Sequence, residues 1–125
     1  MSDPIVYVDT SRIREGKLEE LKVAIKQLAA FIEVNNQHVI SYRLFLDEAA
    51  TSMSVVAVHP DSAALELHMD VGETEFRKFA DLVDLLSIAV YGEVSDAVLE
   101  KLNQKAQMLG TGAVAVHHAQ AGFSR

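Results

Sequence analysis

The segment VISYRLFLDEAATSMSVVAVHPDSAALELH, residues 39–68, decides the fold that we predict for this chain. Val39 to Asp47 and Ser52 to His59 are rich in β-branched and aromatic residues, so each is predicted to be a strand. The link between them, Glu48 to Thr51, is short enough for a hairpin. Pro60 suits the start of a helix, and the residues after it predict one. The segment therefore predicts two adjacent strands followed by a helix.

The residues before this segment predict another strand and another helix. Ile5 to Asp9 is the predicted first strand. The helix that follows has apolar residues spaced by three and four, which puts them on one face: Leu18, Leu21, Ile25, Leu28 and Ile32.

The residues after the segment predict four further elements. A second short helical piece is expected after Gly72, separate from the first. Leu85 to Tyr91 is almost wholly apolar, so it is predicted to be a strand that is buried on both faces. Ser95 suits the N-cap of a last helix. Ala113 to His118 can add a short strand at the edge of the sheet.

The resulting order is β-α-β-β-α-β, which is the ferredoxin-like arrangement. The predicted fold class is α+β, with an antiparallel four-stranded sheet, an extra C-terminal helix and a short additional strand. We expect one domain over residues 1–118 and a flexible tail over residues 119–125.

Composition excludes several classes of function. The formal charge is −7 and the basic residues form no stripe, so neither nucleic acid nor an anionic membrane surface is an expected partner. The chain has no cysteine, which excludes disulfides, thiolate metal sites and a thiol nucleophile. No signal peptide or membrane-spanning run is visible, so we expect a cytoplasmic protein.

The strand pattern predicts self-association. Val39 and Phe45 lie on the opposite face of the second strand from Tyr42 and Leu44, so both faces of the sheet are apolar. One layer of helices covers one face and leaves an apolar patch on the other. A second copy of the chain, in a homodimer, is the expected cover. The alternative is that the last helix folds across that face.

Several stretches resemble the antibiotic biosynthesis monooxygenase family. The clearest is HPDSAALELH, His59 to His68, followed by EFRKF, Glu75 to Phe79. It is similar to that family's strand end, its D-x-A-A-L-x-x-H helix start and its phenylalanine-bearing helical segment. GKLEEL, Gly16 to Leu21, and SYRLF, Ser41 to Phe45, resemble the family's first helix and second strand.

The resemblance implies a dimeric α/β barrel with an apolar pocket between sheet and helices. It also implies oxidation of aromatic polyketides or quinols without metal or flavin, so no cofactor is expected. His68 matches the family's helix histidine, which makes it a candidate catalytic residue. Some relatives degrade haem, and a haem-binding protein with His59 or His68 as axial ligand is therefore a further interpretation.

Each candidate site residue also has a structural interpretation. His59 and His68 are candidates for moving a proton near neutral pH. Alternatively, His59 is a surface turn residue and His68 is a partly buried residue that fixes the helix to the sheet. Arg43 either binds an acidic ligand group or pairs with an acid such as Asp9 or Glu93. Three tyrosines either line a pocket for a phenolic ligand or belong to the core: Tyr7, Tyr42 and Tyr91.

Two hypotheses of function follow from these observations. The first is a dimeric small-molecule binding protein that oxidises an aromatic or quinol-type substrate without a cofactor. The second is a non-catalytic binding or assembly domain in which side chains fill the pocket. No metal site is predicted, because adjacent strand residues such as His117 and His118 point to opposite faces and do not readily share one ion.

Overall fold

The computed structural model describes residues 3–125, which form one sheet and three helices. No helix among these residues is long and apolar enough to span a bilayer. In chain order the elements are β1 (Ile5–Ile13), α1 (Leu18–Asn35), β2 (Ser41–Leu46), β3 (Ser52–His59), α2 (Ser62–Arg77), β4 (Val83–Tyr91), α3 (Asp96–Leu109) and β5 (Gly110–His117).

The ferredoxin-like order is confirmed, and the short additional edge strand predicted over Ala113 to His118 is present as β5; what is corrected is the purely antiparallel sheet of four strands. The sheet has five strands in the order β2-β3-β1-β4-β5, and β5 runs parallel to β4. The direction follows from the connection, because α3 returns the chain across the sheet between two neighbouring strands. Gly110 and Gly112 permit the pairing: an added Cβ would lie 2.5 and 2.7 Å from backbone atoms of Leu85 and Leu86.

The second helix is continuous, whereas two pieces separated near Gly72 were predicted. Asp61 caps its start, where the carboxylate accepts a 2.8 Å hydrogen bond from the Ala64 backbone N–H. Gly72 lies inside the helix and faces the ring of Phe76 one turn later. Glycine is present there because of this close packing, and it does not end the helix. Ser95 caps α3 as predicted, accepting from Val98.

All three helices pack on one face of the sheet, which we call the inner face. The inner-face side chains of β1 alternate with outward ones and are buried: Ile5, Tyr7, Asp9, Ser11 and Ile13. Helix α3 contacts α2, β4 and β5 on that same side. It does not cover the other side, so the alternative in which the last helix folds across the second apolar face is wrong.

The opposite face of the sheet, the outer face, is not covered by any helix of residues 3–125. The prediction that β4 is buried on both faces is wrong for one chain, because Leu86 is 53% and Tyr91 46% exposed. Val8 of β1 is at the centre of this face, in register with Val56 on one side and Ala89 on the other. The outer face is therefore apolar at its centre and open to a partner.

Candidate functional site

Three polar side chains meet in the buried space between the sheet and the helices. The Tyr7 hydroxyl donates a 2.5 Å hydrogen bond to Oδ2 of Asp9, two residues along β1. Lys105 Nζ, from α3, donates to the Tyr7 hydroxyl at 2.9 Å and to the same Asp9 oxygen at 3.3 Å. All three residues are at least 95% buried. We call this group the Lys105 cluster.

Sequence periodicity places each member of the Lys105 cluster. Tyr7 and Asp9 are two positions apart, with Val8 between them, so they share the inner face of β1. Lys105 lies three residues after Leu102 and next to Ala106, within the buried stripe of α3. Its ammonium group also lies over two aromatic rings, 4.1 Å from the centroid of Phe76 and 4.9 Å from that of Tyr7. These ring faces stabilise a buried cation.

Burial dominates the electrostatics of this cluster. It raises the pKa of Tyr7 well above its ordinary value, and the negative charge of Asp9 acts in the same direction. Burial lowers the pKa of Lys105, while the neighbouring carboxylate opposes that change. The arrangement places a hydrogen-bond acceptor beside a cation in a dry environment, which suits removal of a proton from a ligand and stabilisation of the resulting anion.

A small cavity adjoins the cluster. Its volume is about 20 Å³, and its lining includes Asp9, Tyr42, Phe76, Phe79 and Lys105. The second carboxylate oxygen of Asp9, Oδ1, and the Tyr42 hydroxyl are buried and have no hydrogen-bond partner among residues 3–125. Burial raises the pKa of Tyr42, so its hydroxyl keeps its proton. The cavity can take one small polar group, and two unused polar atoms are available to it.

The two predicted histidines form an aromatic cluster beside this cavity. The rings of His59 and His68 are 4.8 Å apart, and His68 is 5.4 Å from the rings of both Tyr42 and Phe76. Asn36 Nδ2 donates to His68 Nδ1 at 3.0 Å. Neither histidine lines the cavity itself.

Burial keeps both imidazoles neutral. It lowers the pKa of His59 to about 4, with a smaller contribution from the positive charge of Lys105. Burial lowers the pKa of His68 to about 2, with contributions from His59 and Lys105. Neither ring nitrogen of His59 has a hydrogen-bond partner in the described part of the chain. Both rings are buried among the described residues.

The remaining predicted site residues lie elsewhere. Arg43 is exposed on the outer face, in register with Val56, whereas Asp9 points to the inner face. The proposed pairing of Arg43 with Asp9 therefore does not form within one chain, and Glu93 instead contacts His118 at 2.9 Å. Tyr91 is also on the outer face, so the structure separates it and Arg43 from Tyr7 and Tyr42.

The C-terminal histidines have different partners. The ring of His117 stacks on Tyr91 with a centroid distance of 4.5 Å, whereas His118 contacts Glu93. No group of three or more histidine, aspartate or glutamate side chains within residues 3–125 is arranged to hold a metal ion.

Sequence reasoning missed the two charged residues at the centre of the site. The sequence pattern places Asp9 only at the end of the first strand and as a partner for Arg43. It assigns no site role to Lys105. The signal in each case was a charged residue at a position that periodicity assigns to the buried face: Asp9 two residues after Tyr7, and Lys105 three residues after Leu102. A charge at a core position costs free energy unless it is paired, so such a pair marks a candidate site.

Comparison with solved structures identifies the fold. MupZ from Pseudomonas fluorescens aligns with a TM-score of 0.77 and 18% identity over 100% of this chain and 91% of its own. A candidate antibiotic biosynthesis monooxygenase from Caulobacter crescentus aligns with a TM-score of 0.65 and 18% identity, covering 75% of this chain and 92% of its own. Another, from Bacteroides thetaiotaomicron, gives 0.61 and 13%, covering 75% and 90%.

The sequence matches no protein-family model and no curated protein. The structural likeness nevertheless extends over three-quarters or more of the chain in each of these comparisons. The TM-scores establish a shared fold, whereas sequence identities below 20% do not establish a shared reaction. The resemblance seen in the sequence is confirmed at the level of the fold, which this chain shares with MupZ and with these candidate antibiotic biosynthesis monooxygenases.

Proposed function

We propose that this chain binds a small hydroxylated aromatic molecule, removes a proton from its hydroxyl group at Asp9, and promotes its oxidation by O2 without a cofactor. The observation that carries the proposal is the Lys105 cluster. One carboxylate oxygen of Asp9 is held by Tyr7 and Lys105, the other has no hydrogen-bond partner among residues 3–125, and Asp9 lines the cavity. We infer that this second oxygen accepts the ligand hydroxyl.

Asp9, Lys105 and Tyr42 each have a separate role in the proposed reaction. Asp9 accepts the proton, the ammonium group of Lys105 stabilises the phenolate, and the Tyr42 hydroxyl offers a second hydrogen bond. Phenolates donate electrons more readily than phenols. A bound hydroquinone would lose two protons and two electrons to O2, giving a quinone and hydrogen peroxide, so the reaction balances without any further oxidant. His68 supports the site through ring contacts with Tyr42 and Phe76, and His59 in turn contacts the ring of His68.

Binding and deprotonation can be tested with para-nitrophenol, whose phenolate form is yellow. At a pH below the pKa of the free phenol, we expect the wild-type protein to produce the phenolate absorbance in proportion to the bound probe. Asp9→Asn should abolish it. Tyr42→Phe should weaken binding but leave folding intact, because the hydroxyl that it removes has no partner in the described chain.

Oxidation is tested separately with hydroquinone in an oxygen electrode. We expect the wild-type protein to consume O2 and form hydrogen peroxide, and Asp9→Asn to show only the background rate. Circular dichroism of each variant checks that it is folded. Wild-type protein that gives no phenolate signal, or an Asp9→Asn variant that gives the same signal, would exclude the proposed role of Asp9.

A non-catalytic binding or assembly role is the second candidate, and the small volume of the cavity favours it. At about 20 Å³, the inner space is nearly filled by side chains, as that hypothesis predicts. In that case the Lys105 cluster has a structural role and fixes α3 to β1. Hydroquinone consumption at the background rate, together with an intact oligomer, would support this candidate over the first.

We further propose that the chain forms a homodimer through the outer face of the sheet. The centre of that face is apolar in three adjacent strands and has no cover in a single chain: Val6, Val8, Val56, Val58 and Ala89. Soluble proteins rarely leave large contiguous apolar patches in water. A two-fold arrangement in which the two outer faces meet covers both copies at once.

A further inference from the structure

We infer that a cleft between α2 and α3 is the outer part of the ligand site, and that Phe76 is a movable wall between this cleft and the inner cavity. The ligand would then be elongated, with its hydroxyl end at Asp9 and a neutral body in the cleft. The identity of the ligand rests on the proposed function, whereas the role of Phe76 can be tested without it.

The cleft has the size that the inner cavity lacks. Its volume is about 260 Å³, just below the roughly 300–1,000 Å³ of small-molecule pockets. Two residues, Phe76 and Lys105, line both the cleft and the inner cavity. They are therefore the partition between the two spaces. Lys105 is held by Tyr7 and Asp9, so Phe76 is the part of the partition that can move.

The lining of the cleft indicates which ligand it suits. Besides Phe76, the apolar residues of the lining are Met69 and Met108, whose flexible thioether side chains adapt to apolar and aromatic surfaces; the other lining residues are polar or charged. The charged residues are already paired: Lys101 with Asp70 at 2.7 Å, across the cleft from α3 to α2, and Arg77 with Glu73 at 2.8 Å along α2. No cation within the cleft lining is left over for an anionic ligand, apart from the buried Lys105. The lining thus favours a neutral body.

Gly72 makes room for the ring of Phe76 beside the backbone of α2. A Cβ atom at Gly72 would lie 2.3 Å from Cζ of Phe76, and the other nearby ring atoms would be within 2.8 Å. The ring therefore rests against the backbone of its own helix, in a space that any side chain at Gly72 would occupy. The Lys105 ammonium and the His68 ring contact it as well. A small rotation of the ring towards the cleft would join the two spaces.

The movable wall can be tested by the reactivity of Lys105 towards formaldehyde and a mild borohydride, which methylate accessible amines. Peptide mass spectrometry gives the rate at Lys105, and the exposed Lys22 is the internal reference. We expect slow labelling in the wild-type protein and labelling about tenfold or more faster in Phe76→Ala. Gly72→Ala, which displaces the ring without deleting it, should also accelerate labelling.

Phe79→Ala is the matched control, because Phe79 lines the inner cavity but not the cleft. It removes the same side chain from a buried position without opening the partition. Each variant is labelled at the same number of degrees below its own thermal unfolding midpoint, so that loss of stability does not itself change the rate. Under these conditions we expect Phe79→Ala to accelerate labelling of Lys105 only slightly. Equal acceleration in Phe79→Ala and Phe76→Ala would overturn the inference. So would wild-type rates in both Phe76→Ala and Gly72→Ala.

The outer subsite is tested by the affinities of phenol and para-butylphenol. Buried methylene groups strengthen binding, so we expect the butyl compound to bind about tenfold or more tightly in the wild-type protein. Met108→Glu should reduce that advantage and leave phenol unaffected. An advantage that survives Met108→Glu would place the alkyl chain elsewhere. Accelerated labelling in Phe76→Ala combined with no binding of either phenol would retain the wall and reject the proposed ligand class.

Discussion

The ammonium group of Lys105 lies 3.3 Å from the carboxylate of Asp9, although the two residues are 96 positions apart in the sequence. The pair joins the first strand to the last helix, and both side chains are at most 5% exposed. Removing two charges from water costs several kcal/mol per ion, which their attraction must offset. A hydrophobic pair of similar size would cost less, so a positional or chemical role for these two residues is the better explanation.

Lys105→Met should destabilise the protein by about 3–5 kcal/mol, because it leaves the buried carboxylate of Asp9 without its cation. The double variant Asp9→Leu with Lys105→Met should recover most of that loss, since both charges are then absent. Urea unfolding followed by circular dichroism measures both values. A single variant that loses less than about 1 kcal/mol would contradict a dry ion pair and would indicate that water reaches the site.

Stability should fall on mild acidification, because His59 is held neutral in the folded protein. Burial lowers its pKa to about 4, whereas an unfolded histidine titrates near 6.5. Between these values the unfolded chain binds more protons, so the stabilisation is fully present above about pH 6.5 and decreases as the pH falls towards about 4. His59 alone should contribute about 2–3 kcal/mol of this change, and His68 adds to it.

His59→Leu separates this effect from general acid denaturation. Because both ring nitrogens of His59 are buried and have no hydrogen-bond partner among residues 3–125, the substitution should leave stability at neutral pH unchanged or higher. The decrease between about pH 6.5 and about pH 4 should become shallower. The measurement is urea unfolding at several pH values for both proteins. An unchanged slope in the variant would show that His59 is not the titrating group.

The fold could be predicted from the sequence to a large extent, because most elements carry their own local signal. The apolar spacing of α1, the β-β hairpin and the Ser95 cap are features of neighbouring residues. The parallel pairing of β5 could not be predicted in this way. It depends on the close approach of Gly110 and Gly112 to β4, a contact between segments about 25 residues apart.

The candidate site was harder to predict, since it depends on contacts between distant elements. Tyr7 and Tyr42 were predicted and do lie at the inner site, whereas Arg43 and Tyr91 lie on the outer face. Alternation within one strand shows that two residues share a face, but it does not show which face the helices cover. Asp9 and Lys105 become recognisable only when α3 is placed over β1.

Val8→Asp should dissociate the proposed homodimer. Val8 lies at the centre of the outer face, and a two-fold interface there would bring a buried carboxylate from each copy into apolar surroundings. Val23→Asp, at a 57% exposed position on α1, makes the same change away from the sheet and should have no effect. Sedimentation velocity distinguishes the two. A wild-type protein that sediments as a monomer would refute the dimer. A Val8→Asp variant that remains dimeric would show that the dimer interface does not lie on the outer face.

Ala50→Gly should stabilise the hairpin between β2 and β3. Ala50 has a φ of 56°, in the left-handed region that an L side chain disfavours by about 1–2 kcal/mol. The turn holds it there, because Ala50 N–H donates to the Asp47 carbonyl at 2.9 Å and the Asp47 carboxylate accepts from the backbone N–H groups of Thr51 and Ser52. Glycine removes this strain.

Glycine also increases the conformational freedom of the unfolded chain, which offsets about 0.4–1 kcal/mol of that gain. Ala49→Gly is the matched control, because it has the same effect on the unfolded chain at a position where φ is not positive. We therefore expect Ala50→Gly to be more stable than Ala49→Gly by about 1 kcal/mol in urea unfolding, since the difference isolates the strain. Equal stabilities of the two variants would show that Ala50 carries no strain in solution.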